Sequence, residues 1–286
     1  MATTVAQAFR EFRANLAISD LQAATVSTRQ QGIRTAITSE LTVLEDFLVG
    51  SYRRGTMIAP LASADIDIFF ALHSQYFQSG PTGVLDRTKR VLLKTYTRTP
   101  KISRNGQAVT ITFNDFRVDV VPGFRRNGGG FLIPDSIGNR WIETDPRSHI
   151  DIWQSENSAH DGVLVPVMKM LKCWNRAHSS PLTSFHLETL ALQTLRGVRI
   201  DSYPTGIRHV LDRARTFLFV TPDPAGYPGN VAGYLDSQIK QNDAMSRVET
   251  ALVKALEAEK LESQGQVRAA IEKWGVIFGD YFPVYG

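Results

Sequence analysis

Residues Val49 to Phe70 read VGSYRRGTMIAPLASADIDIFF. Two parts of this stretch carry chemistry: Gly50-Ser51 and, after thirteen residues, Asp65-Ile66-Asp67-Ile68. The run DIDIFFAL (65–72) predicts a strand, whose side chains alternate between faces, with Asp65 and Asp67 on one face and Ile66 and Ile68 on the other. Two carboxylates on one face lie roughly 6 to 7 Å apart at Cα. Unpaired, they repel; a divalent cation relieves that, and Mg²⁺ takes one or two carboxylates together with substrate phosphates. Gly50 lets the backbone approach a phosphate closely. The backbone N–H groups there and the Ser51 hydroxyl can donate to phosphate oxygens, with Arg53, Arg54 and Thr56 in the same loop. Taken singly, each part has a plain structural explanation. An Asp-x-Asp pair is usually a solvated strand edge, and a lone Gly-Ser carries almost no information.

Working outward, Val5, Phe9, Phe12 and Leu16 recur at helical spacing over residues 4–18, and Ile33, Ile37, Leu41, Leu44, Phe47 and Leu48 do so over 33–49. The second helix is expected to stop at Gly50. A helix is expected over 82–96, ended before Pro100, followed by strands at Ala108–Phe113 and Phe116–Val121. Asn114-Asp115 between them suits a tight hairpin turn. In the second strand Phe116, Val118 and Val120 share one face; Arg117, Asp119 and Val121 share the other. If this strand lies beside 65–72, Asp119 joins Asp65 and Asp67. Three carboxylates around two Mg²⁺ fit in-line phosphoryl or nucleotidyl transfer. The plain alternative for Asp119 is a surface ion pair with Arg117. Asn127–Gly130 (NGGG) is a loop, and 131–156 resists assignment. From about residue 157 helical periods dominate: 163–178, 183–197, 207–220, 231–261 and 267–278, with a breaker-rich loop at 221–230. The expected fold class is α+β, with a mixed sheet and flanking helices in residues 1–150, both N-terminal helices included, and a helical lobe in 151–286.

The pattern of an apolar-flanked Gly-Ser, a thirteen-residue spacer, Asp-x-Asp on a strand and a later strand aspartate resembles the DNA polymerase β-like nucleotidyltransferases. GSYRRGTMIAPLASADIDIF looks closer still to the bacterial cGAS/DncV-like nucleotidyltransferases, the CD-NTases of anti-phage CBASS systems. KMLKCWNR (169–176), LTSFHLETL (182–190) and DPAGYPGNVAGYL (223–235) are similar to that family's later signatures, in its order. The resemblance implies that Gly50 and Ser51 hold a triphosphate and that Asp65, Asp67 and Asp119 are catalytic metal ligands for two Mg²⁺ or Mn²⁺ ions. It implies that Lys172 and Ser184 contact phosphates of the donor nucleotide, and that Asp223 and Asn230 sit near the base. On the residues alone, Lys172 is as readily a snorkelling lysine, and Ser184 as readily a helix N-cap. The implied activity is conversion of NTPs, ATP or GTP among them, to a cyclic di- or trinucleotide messenger with release of pyrophosphate. The product would act on a separate effector. The alternatives are a linear-product enzyme, similar to oligoadenylate synthase or a tRNA-modifying enzyme, and an inactive nucleotide sensor. An operon-encoded regulator, or a partner that conjugates Gly286, is also compatible with the resemblance.

Composition narrows the classes. Of 286 residues, 43% are hydrophobic and 21% charged, which excludes wholesale disorder and low-complexity architecture. Thirty-two Lys and Arg against 28 Asp and Glu give a mild positive balance that suits an anionic small substrate. With Cys173 alone, neither an internal disulfide nor a cysteine zinc site can form. The DNA-binding zinc insertion of animal cyclic GMP-AMP synthases is therefore excluded, and with no Lys/Arg block a dedicated double-stranded DNA platform is not expected. A reducing, cytoplasmic setting is expected, without secretory signal or membrane span. His178, His186 and His209 lack metal-ligand spacing and read as surface or cleft-edge residues, Trp153, Trp174 and Trp274 read as core, and Arg125-Arg126 reads as solvated loop.

Overall fold

The computed structural model describes residues 2–61, 64–99 and 101–286; Pro100, expected to break a helix, lies outside the described residues. The chain forms two compact units, one of residues 18–151 and one of 1–17 with 152–286.

The first unit is a mixed sheet backed by two long helices. Helix α2 (Asp20–Glu40) is started by a capping box in which Ser19 and Gln22 bond reciprocally. Helix α4 (Gly80–Thr95) carries Pro81 in its first turn. The strands are β1 (Val43–Val49), β2 (Asp65–Leu72), β3 (Lys101–Asn105), β4 (Ala108–Thr112), β5 (Arg117–Arg125), β6 (Phe131–Asp135) and β7 (Arg140–Thr144). They run in the order β1-β2-β5-β4-β3, with β6 pairing β5 and β7 pairing β6. Strands β2 and β5 are parallel and the other pairs antiparallel. The alternation in DIDIFFAL decides the layering. Ile66, Ile68, Phe70 and Leu72 enter one buried cluster with Val118 and Val120 of β5, Ile33 and Ile37 of α2 and Leu85 and Leu92 of α4. On the opposite face Phe69 and Ala71 pack with Val49 and Phe131, and it is this face that carries the acids.

One expectation fails here. Residues 33–49 are not one helix: α2 ends at Glu40, and Val43–Val49 is a strand antiparallel to β2. Leu41, Leu44, Phe47 and Leu48 satisfy a helical period, but Phe47 and Val49 also alternate with Leu48 and Asp46. Pairing with β2 decides between the two. Gly50 therefore follows a strand and opens the four-residue helix α3 (Gly50–Arg53).

The second unit is helical: α1 (Val5–Asn15), α6 (Leu164–Ala177), α7 (Ser184–Leu195), α8 (Tyr203–Phe217), α9 (Gln238–Ser263) and α10 (Val267–Phe278). The division between the units falls within helix α5 (Pro146–Ala159). Both N-terminal helices were expected with the sheet, but α1 belongs to this unit. Its apolar stripe explains why: the Phe9 ring meets Trp274, Phe278 and Phe282 at 5.1, 6.0 and 5.1 Å between centroids. Trp153, Trp174 and Trp274 are all core residues. Pro166 lies in the first turn of α6, where its missing N–H costs nothing. Among the described residues no helix is long and apolar enough to cross a membrane.

Candidate active site

Register brings the three acids together. Asp67 and Asp119 are direct partners across the parallel β2–β5 pair, and Asp65 stands two residues back opposite Arg117. Paired residues on parallel strands point the same way, so Asp65, Asp67 and Asp119 share one face of the sheet. The electrostatics agree. Burial pushes the Asp119 carboxyl above its ordinary range; the Thr110 hydroxyl pulls it down, the charge of Asp65 adds to the rise, and Arg117 opposes it. The Thr110 hydroxyl donates to Asp119 Oδ1 at 2.5 Å.

Gly50 closes one side. It has φ +64°, and an added Cβ would fall 1.8 Å from Asp67 Oδ2. The Asp67 carboxylate therefore rests against the Gly50 backbone, in a cradle only glycine leaves open. Ser51 follows, and its carbonyl accepts from Thr56 N at 2.9 Å and Met57 N at 3.1 Å. The spacer thus folds back onto the Gly-Ser turn.

An all-oxygen set of three carboxylates on one face matches the donors that hard divalent cations take, and Gly50 leaves room for the Asp67 carboxylate. The residues fit such an ion. As they stand, however, no three acidic, imidazole or thiol side chains among the described residues form a metal-holding cluster. Asp65 is turned into a fork with Arg117, whose Nε donates to Oδ1 at 2.6 Å and Nη2 to Oδ2 at 3.3 Å. Arg117 thus pairs with Asp65, not with Asp119 as its place in the sequence suggested. Arg125 and Arg126 pair with Glu45 and Glu143 at the surface.

Lys172 and Ser184 belong to the helical unit. Lys172 is buried on α6, its Nζ 3.0 Å from Oε1 of the fully buried Glu188 on α7, so it does not snorkel. Lys169, one turn earlier, has its ammonium pushed down by burial and by the charges of Lys172 and Arg13. Ser184 is the exposed first residue of α7; the cap is Thr183, whose hydroxyl accepts from His186 N. Asn230 knits its own loop: Oδ1 accepts from Thr221 N and Ala232 N, and Nδ2 donates to Phe219 O. Asp223 Oδ1 accepts from Ala225 N at 2.8 Å.

Sequence reasoning missed Thr110, the Arg117–Asp65 fork and Glu188. Thr110 had a signal: counting four residues out from each side of the Asn114-Asp115 turn pairs it with Asp119, as observed. Glu188 also had one, as a single charge inside the apolar run FHLETLAL.

Residues 3–157 match the family described as the Second Messenger Oligonucleotide or Dinucleotide Synthetase domain. A probable cyclic nucleotide synthase of Bacillus cereus (strain VD146) is 26% identical, with 82% of this chain and 81% of that protein covered. A cyclic AMP-AMP-AMP synthase of Acinetobacter sp. (strain ATCC 27244 / 9458) is also 26% identical, over 83% of this chain and 72% of that one. Among solved structures, Escherichia coli MS115-1 CdnC in complex with a truncated HORMA protein superposes with a TM-score of 0.77. The identity there is 17%, and the coverage 97% of this chain and 98% of that one. At that identity the likeness is one of fold.

Proposed function

The chain belongs to the Second Messenger Oligonucleotide or Dinucleotide Synthetase family, and from that premise we propose that it joins NTPs into a cyclic di- or trinucleotide with release of pyrophosphate, using Asp65, Asp67 and Asp119. The observation that carries this reading is the placement of the three carboxylates on one face of β2 and β5, with Asp67 seated against Gly50. Bound at these acids, two Mg²⁺ or Mn²⁺ ions would lower the pKa of the attacking hydroxyl and offset charge on the leaving pyrophosphate. Asp65 and Asp67 would hold the ions. Asp119, fixed by Thr110, would orient the 2′- or 3′-hydroxyl of one nucleotide toward the α-phosphate of another and favour loss of its proton. Gly50 and Ser51 would receive the triphosphate, and Lys172, positioned by Glu188, would meet donor phosphates together with Ser184. ATP is the first nucleotide to try, given the name of the Acinetobacter relative. The product would act on a separate effector in anti-phage defence. A regulator is proposed too, as the E. coli structure holds a HORMA protein.

The test incubates the protein with labelled NTPs and Mg²⁺ or Mn²⁺, beside an Asp65→Ala/Asp67→Ala control. After phosphatase treatment, the products are resolved by chromatography and mass spectrometry. A phosphatase-resistant product absent from the control is expected. Phosphatase-sensitive oligomers would replace cyclisation with linear synthesis.

A further inference from the structure

Asp65 already has a cation. Arg117 stands opposite it in the β2–β5 register and grips both carboxylate oxygens. A two-pronged fork of this kind takes one lone-pair site on each oxygen and sets a positive centre close behind them. A face that collects three carboxylates needs compensating charge, and Arg117 supplies one unit of it. A divalent ion approaching Asp65 would meet both the occupied lone pairs and the repulsion of the guanidinium.

Resting on the metal reading above, we propose that Arg117 is the resident counter-ion of Asp65 and that a divalent cation enters this carboxylate by exchange with it. Arg117 is thereby a positioning residue: it holds Asp65 on the site face while the ion is away and gives it up when the ion arrives. The exposure of the pair suits this role. The side chains are 48% and 42% exposed, so water can take over the guanidinium once it lets go. An exposed pair of this kind shifts an equilibrium by no more than about fivefold, which is firm enough to orient a carboxylate and weak enough to be displaced.

The test is a Mn²⁺ titration of the intact protein without nucleotide, followed by the electron paramagnetic resonance signal of the free ion. Wild type, Arg117→Gln, Arg104→Gln and Asp65→Asn/Asp67→Asn are compared, with thermal unfolding of the metal-free proteins confirming that each is folded. Arg117→Gln is expected to bind Mn²⁺ about three- to fivefold more tightly than wild type. Arg104→Gln, which removes an equal charge beside Asp86, is expected to leave the affinity unchanged. Unchanged or weaker binding in Arg117→Gln would overturn the exchange, as would equal tightening in Arg104→Gln. Mn²⁺ binding that is the same in the acid double variant as in wild type would overturn the metal seat itself, and the exchange with it.

Discussion

Gly50 shows how little room a single position can leave. Its φ of +64° disfavours any side chain, and Asp67 occupies the place where a Cβ would go. Gly50→Ala is expected to fold with a loss of roughly 1–2 kcal/mol from the backbone conformation. It must also push the Asp67 carboxylate aside, and product formation is expected to fall about a hundredfold, as misplacement of a catalytic group by an ångström does. Thermal unfolding and product yield measure the two effects separately. His186 makes a second residue-level case. Expected at the surface or a cleft edge, it is instead fully buried on α7, with ring nitrogens 2.8 Å from the Tyr234 hydroxyl and 3.1 Å from the Thr221 hydroxyl. Burial pushes its pKa down to about 4 from 6.5. The folded state keeps this imidazole neutral where the unfolded chain would protonate it. Its contribution is therefore fully present above about pH 6.5 and is lost as the pH falls toward 4, by up to about 3 kcal/mol. His186→Gln should flatten that part of the stability–pH curve. An unchanged curve would place the acid sensitivity elsewhere.

At the scale of elements, legibility followed the strength of the local pattern. Strand β2 and helices α4, α6 and α10 could be read directly, because their alternation or helical period had no competitor. The β4–β5 hairpin was readable down to its register, since a two-residue turn leaves one pairing open. Strand β1 was not, because its apolar residues serve two periods and the choice is made by the neighbouring strand. Strands β6 and β7 were hidden because both are only five residues long, and β7 has no buried position to mark an inner face. The acids themselves could be read, but not their partners. Arg117 reaches Asp65 rather than Asp119 because the parallel pairing places those two side by side, a fact no spacing within one strand reveals. Helix α1 was found and assigned to the wrong neighbours, because a stripe of Val5, Phe9 and Phe12 says that a helix is buried without saying against what. The aromatic cluster it joins gives the matching prediction. Phe9→Ala is expected to destabilise the protein by roughly 3–5 kcal/mol, seen as a lower midpoint in denaturant. A change under 1 kcal/mol would mean that α1 is not anchored there.

For the molecule as a whole, the helical unit is discontinuous in sequence: the chain starts in it, leaves at residue 17 to build the sheet, and returns at residue 152. The two stretches of that unit are tied at their far ends as well as through Phe9. Ala2 N donates to Val284 O at 3.2 Å, and Gly286 N donates to Ala2 O at 3.3 Å. Residues 2 and 286 are thus hydrogen-bonded neighbours, and a peptide of a few residues would span them. A circular permutant joined there and reopened between Thr144 and Asp145 would keep Asp145 with the helix start it caps, where its Oδ1 accepts from Ser148 N. In that permutant residues 152–286 and 1–17 become one continuous run. The chain would then complete the helical unit before entering the sheet, and the acids of β2 and β5 would lie in one following stretch, residues 18–144, with only 145–151 of that unit left at the new start.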